Sequence, residues 1–248
     1  MEKYPHISVV APAYNEALLI KPLIEKWISI ITEYDPFIQY EIVICNDAST
    51  DNTLEILDQI STNNQNIVVV NNVINRGAGT SLYRAIQKSS GKYVLLIDSD
   101  DQFDLFDLLP QLSEIENNSY DAIVGARSKK DTFLRKIGSK ISSNMLRMFI
   151  SKEHFDFNCA LKLLHGDVAR SLQLRGRGLN YSAEVLVRLI MKNYRIKSVP
   201  VTHSPRIHGQ SSAKLIRDGK ARILFMMLII FEFKLIKMGI INSSEDSE

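Results

Sequence analysis

Asp98, Asp100 and Gln102 follow the apolar run Tyr93-Val94-Leu95-Leu96-Ile97 at alternating positions, so an extended backbone sends their side chains out on the same side. Carboxylates so placed repel one another unless a cation lies between them. A hard divalent ion, Mg²⁺ or Mn²⁺, bound through oxygen and shared with substrate phosphates, is the natural occupant. The plainer alternative is an acidic loop that starts the next helix, with Asp104 as its N-cap. Asp47 follows a second apolar run, in Asn46-Asp47-Ala48-Ser49-Thr50-Asp51, and its carboxylate could accept two hydrogen bonds from a ring imide or a ribose. Ser49, Thr50 and Asp51 read as caps for the helix after it. Glu184, in Tyr181-Ser182-Ala183-Glu184, is a candidate general base if the acceptor is a hydroxyl, or else the partner of an arginine on a helix. The histidines lack metal-ligand spacing, and the two cysteines, Cys45 and Cys159, make neither a disulfide framework nor a zinc motif.

These residues need a scaffold, and the chain predicts one. Ile7 to Ala11, Glu41 to Cys45, Ile67 to Val70, Tyr93 to Ile97 and Ala122 to Val124 are short, rich in branched residues and apolar throughout, as strands buried on both faces should be. Between them Glu16 to Thr32, Thr53 to Ile60, Ser81 to Lys88 and Leu105 to Glu116 carry apolar residues at helical spacing. Right-handed crossovers turn such a series into a mostly parallel sheet with its crevice at the carboxyl ends of the strands. Each carboxyl end carries polar or special-geometry residues: Pro12 to Glu16, Asn46 to Asp51, Asn75 to Gly79, Asp98 to Gln102 and Gly125 to Arg127. A dinucleotide-binding Rossmann turn is absent after the first strand, and no P-loop exists. In the second half, Phe155 to Leu164 reads as strand-like, Tyr181 to Lys192 as helix and Ile196 to Val201 as strand.

The 248 residues, 45% hydrophobic and 23% charged, suit one large domain or one domain with a small appendage. The net charge of +2 conceals a split: residues 1–124 hold 7 Lys+Arg against 18 Asp+Glu, and residues 125–248 hold 23 against 10. The basic half is expected to meet something anionic, nucleic acid or a membrane face. The amino-terminal residues lack a signal-peptide pattern, and a reducing cytosolic setting is expected. From Ala213 a helix begins with basic residues and becomes apolar over the nine residues Ile223 to Phe231. A membrane span needs about 20 predominantly apolar residues, so residues 213–241 are read as an amphipathic helix lying on a membrane, with a buried core helix as the alternative. Residues 242–248 read as a disordered acidic tail.

Val10-Ala11-Pro12-Ala13-Tyr14-Asn15-Glu16, Asn46 to Asp51, Asn75-Arg76-Gly77 and Asp98-Ser99-Asp100-Asp101-Gln102 resemble, in order and spacing, the family 2 inverting glycosyltransferases of GT-A fold. Within that family the chain is most similar to dolichyl- or polyprenyl-phosphate sugar synthases, over about residues 5–215. The resemblance implies an α/β GT-A (nucleotide-diphospho-sugar transferase) fold, with a mostly parallel central sheet flanked by helices and C-terminal amphipathic helices. It implies a domain over 1–212, divided into a nucleotide-sugar half (1–127) and an acceptor half (128–212). Pro12, Tyr14, Glu16, Asp47, Asp98 and Asp100 would hold the nucleotide sugar. Asp98, Asp100 and Gln102 would hold the metal, and Asp98, Asp100 and Arg127 would act in catalysis. Arg127, Arg135, Ser139, Arg206 and Lys214 would bind phosphate or acceptor. The late Arg-x-x-Gly-x-Ser segment begins at Arg206, but Ala213 separates Ser212 from Lys214, where the family usually places Lys directly after Ser. The second motif has Asn46-Asp47-Ala48 where Asp-Asp-Gly is commoner.

The expected reaction is transfer of a hexose, with inversion, from a GDP-mannose or UDP-glucose type of donor to a polyprenyl or dolichyl phosphate. Metal and arginines would stabilise the departing diphosphate. A phosphate acceptor, with a second pKa of about 6, arrives as an anion and needs no general base. It needs positive charge and an apolar surface, and residues 125–152 hold eight Lys+Arg and one Asp. A location on the cytoplasmic inner face of the cell membrane follows, without nucleic acid, and with a membrane protein partner as a possible supplier of a later step. The alternatives are the same donor chemistry on a glycan or other hydroxyl, a non-enzymatic membrane- or nucleic-acid-binding module, and a haloacid-dehalogenase-type phosphatase. The last conflicts with the place of Asp98 after the fourth strand and with the lack of Thr or Val two places after Asp100.

Overall fold

The apolar runs form strands, the central ones covered on both faces and the two edge strands only in part. They are β1 (Ile7–Ala13), β2 (Tyr40–Asn46), β3 (Ile67–Asn71), β4 (Tyr93–Leu96), β5 (Ala122–Arg127), β6 (Lys162–His165) and β7 (Ile196–Val201). The computed structural model describes residues 6–127, 144–151, 153, 155–176, 178, 181–205 and 215–241. The strands make one seven-stranded sheet in the order β3-β2-β1-β4-β6-β5-β7. Every pairing is parallel except those that β6 makes with β4 and β5. The parallel part is connected by α1 (Ile20–Tyr34), α2 (Thr53–Asn63) and α3 (Ala78–Lys88), as crossovers between parallel neighbours require.

Side chains alternate across the sheet with the period of two that strands impose. Val9, Ala11, Ile42, Ile44 and Leu95 join α1 in one core. Val10, Val43, Cys45, Val94 and Leu96 join α3 and α7 (Tyr181–Met191) in the other. Each fully buried aliphatic side chain contributes about 1.5–3 kcal/mol. A third cluster unites α5 (residues 144–149), α7 and α8 (Leu215–Lys237). Two short helices, α4 (Leu112–Glu116) and α6 (Gly166–Arg170), complete the described elements.

Three expected elements differ from the pattern. The first helix begins at Ile20 rather than Glu16, because Asn15 takes a left-handed φ of 55° and the Glu16 carbonyl closes a turn onto the N–H groups of Leu19 and Ile20. Leu105 to Glu116 is not one helix but two 3-10 turns, Leu105–Asp107 and Leu109–Gln111, followed by α4. Pro110 has no N–H for a continuous α ladder, while Asp104 caps the first turn by accepting from the Phe106 N–H as expected. Of the stretch Phe155 to Leu164, only the end from Lys162 is strand. Upstream, the Asp156 carbonyl and carboxylate accept from the N–H groups of Cys159 and Asn158, which makes a turn.

α8 is apolar on opposite sides. Met226, Ile229, Ile230 and Phe233 are buried against α5 and α7, whereas Leu224, Met227, Leu228 and Phe231 are exposed. Lys234 lies over the ring of Phe149 on α5, which is itself partly exposed beside Met148. Among the described residues, no helix is long and apolar enough to cross a membrane.

Candidate functional site

The carboxyl ends of β1 to β4 are shaped by four turns that each carry one residue with positive φ: Asn15, Ala48, Gly77 and Asp101. Such turns let the chain reverse sharply at the sheet edge and expose its loops to one crevice. At Gly77, φ is 87°, which glycine adopts without cost. Ala48, at 54°, occupies with a methyl group a geometry that favours glycine.

Asp47 organises this edge from within. It is 2% exposed. Its Oδ1 accepts from Asn72 Nδ2 and the Arg76 N–H, and its Oδ2 accepts from the Gly77 N–H, each at 2.8 Å. The carboxylate thus sits at the amino end of α3, where the helix dipole favours negative charge. It shapes the Asn75-Arg76-Gly77 loop rather than projecting into the crevice. Asn46 replaces the commoner aspartate with a side chain that both donates and accepts: Nδ2 donates to Asn71 Oδ1 at 2.8 Å, and Oδ1 accepts from the Ser49 hydroxyl at 2.5 Å. Asp51 accepts from the N–H of Thr53, the capping role expected of it, and also from the N–H of Ala17. Together with Ser49 and Thr50, which bond to Asn15, it latches the first loop to the second. Pro12 and Glu16 are buried in this latch and Tyr14 is half-buried beside them. The Glu16 N–H donates to Thr53 Oγ1.

Asp98 and Asp100 emerge half-buried past the end of β4. Ser99, between them, points inward and donates to the Pro12 carbonyl at 2.7 Å, tying this edge to β1. Asp98 and Asp100 flank it beyond the last strand residue, Leu96, where the chain bends. Asp98 accepts from the Tyr181 hydroxyl at the start of α7. Asp100 accepts from the Gln102 N–H at 3.3 Å, and Gln102 Nε2 donates to the Ser204 carbonyl at 2.9 Å. That contact leaves the Gln102 side-chain oxygen as the end suited to a hard cation. Among the described residues, no three His, Cys, Asp or Glu side chains gather into a cage for an ion. The two carboxylates and the amide oxygen suit Mg²⁺ or Mn²⁺ only if oxygens from a bound phosphate complete its shell, which is the usual habit of Mg²⁺.

Arg127 ends β5, and β5 and β4 point the same way because β6 is antiparallel to both. Two strand spacings, about 10 Å, separate them, so arginine and aspartates flank one crevice. The guanidinium is gripped by Asp156, with Nε to Oδ2 at 2.7 Å and Nη2 to Oδ1 at 3.1 Å. Burial raises the Asp156 pKa, but the hydrogen bonds and charge of Arg127 together with the Asn158 N–H outweigh it and hold the carboxyl below its ordinary range. Lys162 stands between these strands in register, opposite Leu96 on one side and Val124 on the other. It is 1% exposed, and its ammonium donates to the Cys159 carbonyl and to Ser182 Oγ. Burial pushes its pKa down to about 8, opposed by Cys159, Asp156 and Asp98.

Glu184 is not available as a base. It is 0% exposed, and its two oxygens accept from the N–H groups of Arg175 and Gly176, each at 2.8 Å. Arg188 lies 3.5 Å away. Burial raises its pKa, and these donors offset part of the rise. The alternative expectation, pairing with an arginine on a helix, is the one observed. Arg135, Ser139, Arg206 and Lys214 lie outside the described residues.

Three residues absent from the sequence expectations take part: Tyr181, Lys162 and Asp156. Lys162 had a signal, a lone cation inside the apolar run Ala160-Leu161-Lys162-Leu163-Leu164. Asp156, between Phe155 and Phe157, had a weaker one of the same kind. Nothing local marks Tyr181 as a partner of Asp98.

The sequence profile of the family described as "Glycosyl transferase family 2" matches residues 8–169. The chain is 27% identical over 228 residues to the dodecaprenyl-phosphate galacturonate synthase of Rhizobium johnstonii, covering 91% of this chain and 66% of that protein. It is 25% identical over 219 residues to glycosyltransferase AglD of Haloferax volcanii, covering 86% of this chain and 35% of that protein. The chain therefore spans between about a third and two thirds of the length of these curated relatives. Among solved structures, glucosyl-3-phosphoglycerate synthase from Mycobacterium tuberculosis, in complex with Mn²⁺ and uridine-diphosphate-glucose, superposes with a TM-score of 0.66 at 18% identity, covering 91% of this chain and 79% of that one. Staphylococcus aureus TarS 1–349 gives a TM-score of 0.61 at 19% identity, with 92% and 65% covered. The fold is that of the GT-A glycosyltransferases.

Proposed function

This chain belongs to glycosyl transferase family 2, and we propose that it transfers a hexose, with inversion, from a nucleoside diphosphate sugar to a polyprenyl phosphate at a membrane surface. The observation that carries this reading is the arrangement of one crevice. Asp98 and Asp100 stand at the end of β4, and Arg127, fixed by Asp156, stands at the end of the similarly directed β5. The names of the relatives that act on polyprenyl phosphates support the acceptor class.

Asp98, Asp100 and Gln102 would hold Mg²⁺ or Mn²⁺, which supplies positive charge to the departing diphosphate. The loop shaped by Asp47, together with Pro12, Tyr14 and Glu16, lines the place for the nucleoside. Tyr181 holds Asp98 in its orientation. Arg127, presented by a bidentate contact, offers its cation to the acceptor phosphate, and Arg135, Ser139, Arg206 and Lys214 are proposed to extend that site. The acceptor oxygen is already anionic, and the sealed carboxylate of Glu184 accords with a reaction that abstracts no hydroxyl proton. The outer face of α8, with Met148 and Phe149, presents apolar side chains to the lipid.

The test is incubation of the protein with labelled UDP- and GDP-hexoses, with Mn²⁺ or a chelator, and with either polyprenyl phosphate in vesicles or saccharide acceptors. Label is expected in the lipid phosphate fraction, and Asp100→Ala should reduce it by about a thousandfold without unfolding the protein. Transfer to saccharides alone would overturn the acceptor assignment, and near-normal turnover of the variant would overturn the metal assignment.

A further inference from the structure

Glu184 is a fully buried carboxylate on α7, a helix packed into the core, and its contacts run in two directions. Toward the crevice, it binds the backbone N–H groups of Arg175 and Gly176. The Gly176 carbonyl in turn lies so close to Gly79, in the first turn of α3, that a Cβ added at Gly79 would fall 1.8 Å from it. That turn follows Gly77, whose N–H is held by Asp47. Toward the periphery, Glu184 faces Arg188 one helical turn along α7, and Arg188 Nη1 bonds Glu232 of α8 at 2.5 Å. Phe225 of α8 closes the remaining side, since a Cβ on Gly176 would meet Glu184 Oε2 at 2.7 Å and the Phe225 ring at 3.0 Å.

A desolvated carboxylate is retained at a cost, and two charge-assisted N–H bonds to one carboxylate add geometric specificity as well as energy. We infer that Glu184 is a positioning residue that sets the Arg175–Gly176 backbone against the first turn of α3, and that Arg188 and Glu232 make this placement depend on the seating of α8. The consequence is that an element of the apolar periphery and the loop that shapes the donor crevice are mechanically one unit. The inference rests on the donor-site reading of the segment from Asp47 to Gly79.

The test compares Glu184→Gln and Glu232→Gln with the unaltered chain by amide hydrogen exchange and by steady-state kinetics. In Glu184→Gln one of the two N–H groups faces an amide NH₂ instead of an oxygen. Exchange at Arg175 and Gly176 is expected to quicken by about tenfold or more, with faster exchange in the first turn of α3 and little change elsewhere in the sheet. Glu232→Gln, at a site partly open to solvent, should give the same regional pattern with smaller amplitude and full folding, and it decides the matter should the first variant fold poorly. Both variants should raise the KM for donor more than they lower kcat. Unchanged exchange at residues 175–176 in either folded variant, or a uniform increase across the sheet, overturns the inference. Regional loosening with an unaltered donor KM supports the placement by Glu184 and instead removes the donor-site assignment on which the kinetics depend.

Discussion

Replacing Lys162 by Met should stabilise the protein near neutral pH by about 2 kcal/mol. Burial pushes the amine from 10.5 down to about 8, and at ~1.4 kcal/mol per pH unit that depression means a cost of about 3 kcal/mol for keeping the ammonium in the fold. Methionine has a similar volume and carries none of this cost, while the loss of the two lysine hydrogen bonds takes back about 1 kcal/mol. The Cys159 carbonyl keeps a donor, the Ser182 hydroxyl, so no buried acceptor is stranded. The sign of the pH effect is fixed by linkage. Between about 8 and 10.5 the unfolded chain holds the proton that the folded chain has lost, so wild-type stability rises with pH there, whereas below about 8 the deficit is full and constant. Urea unfolding of both proteins at about pH 7.5 and about pH 9.5 should show the wild type gaining about 2 kcal/mol on Lys162→Met across the interval. Parallel curves for the two proteins, or a variant less stable at both pH values, would refute the reasoning.

Ala48→Gly relieves a left-handed φ of 54°; after the entropy lost at glycine it should raise stability by about 0.5 kcal/mol, read as a higher urea midpoint with unchanged slope, and a lower midpoint would count against strain at this turn. Asp156→Asn removes the charge that grips Arg127 and should cost about 2 kcal/mol at neutral pH. Because the folded-state pKa of Asp156 is depressed, that gap should close as pH falls through it and protonated wild type comes to resemble the variant; a gap that persists in strong acid contradicts the ion-pair account. Phe231→Glu, at a side chain 62% exposed, should leave the melting temperature nearly unchanged and weaken sedimentation with anionic vesicles about tenfold, and undiminished sedimentation would remove α8 from the membrane contact.

The parallel half of the sheet was legible because burial on both faces leaves a local mark: runs such as Ile42-Val43-Ile44-Cys45 have no polar residue to place. The polar ends of those runs marked the crevice for the same reason, since only a strand's end can leave a charged residue such as Asp98 there. What could not be read locally was pairing across long intervals. Arg127 and Asp156 meet only because β6 turns back beside β5. Glu184 is closed off in part by α8, which lies beyond β7 in the chain. The stretch Phe155 to Leu164 was strand-like in composition, but before Lys162 the turn made by Asp156 won, because its carboxylate and carbonyl satisfy the backbone without a neighbour. Asp47 was read as facing a ligand, yet its carboxylate turns inward to Asn72, Arg76 and Gly77, and the spacing of these residues carries no signal of it.

The interposition of β6 between β4 and β5 bears on how such a protein can be made and recombined. A nascent chain that has completed β4 leaves that strand's outer edge unmatched until His165 has left the ribosome, so the first half cannot finish itself in isolation. Exchanging front and back halves between relatives would seat a foreign β6 between resident strands on both sides. A workable chimera must therefore take the whole interval from Tyr93 to His165 from a single parent, and its crossover belongs before or after that interval.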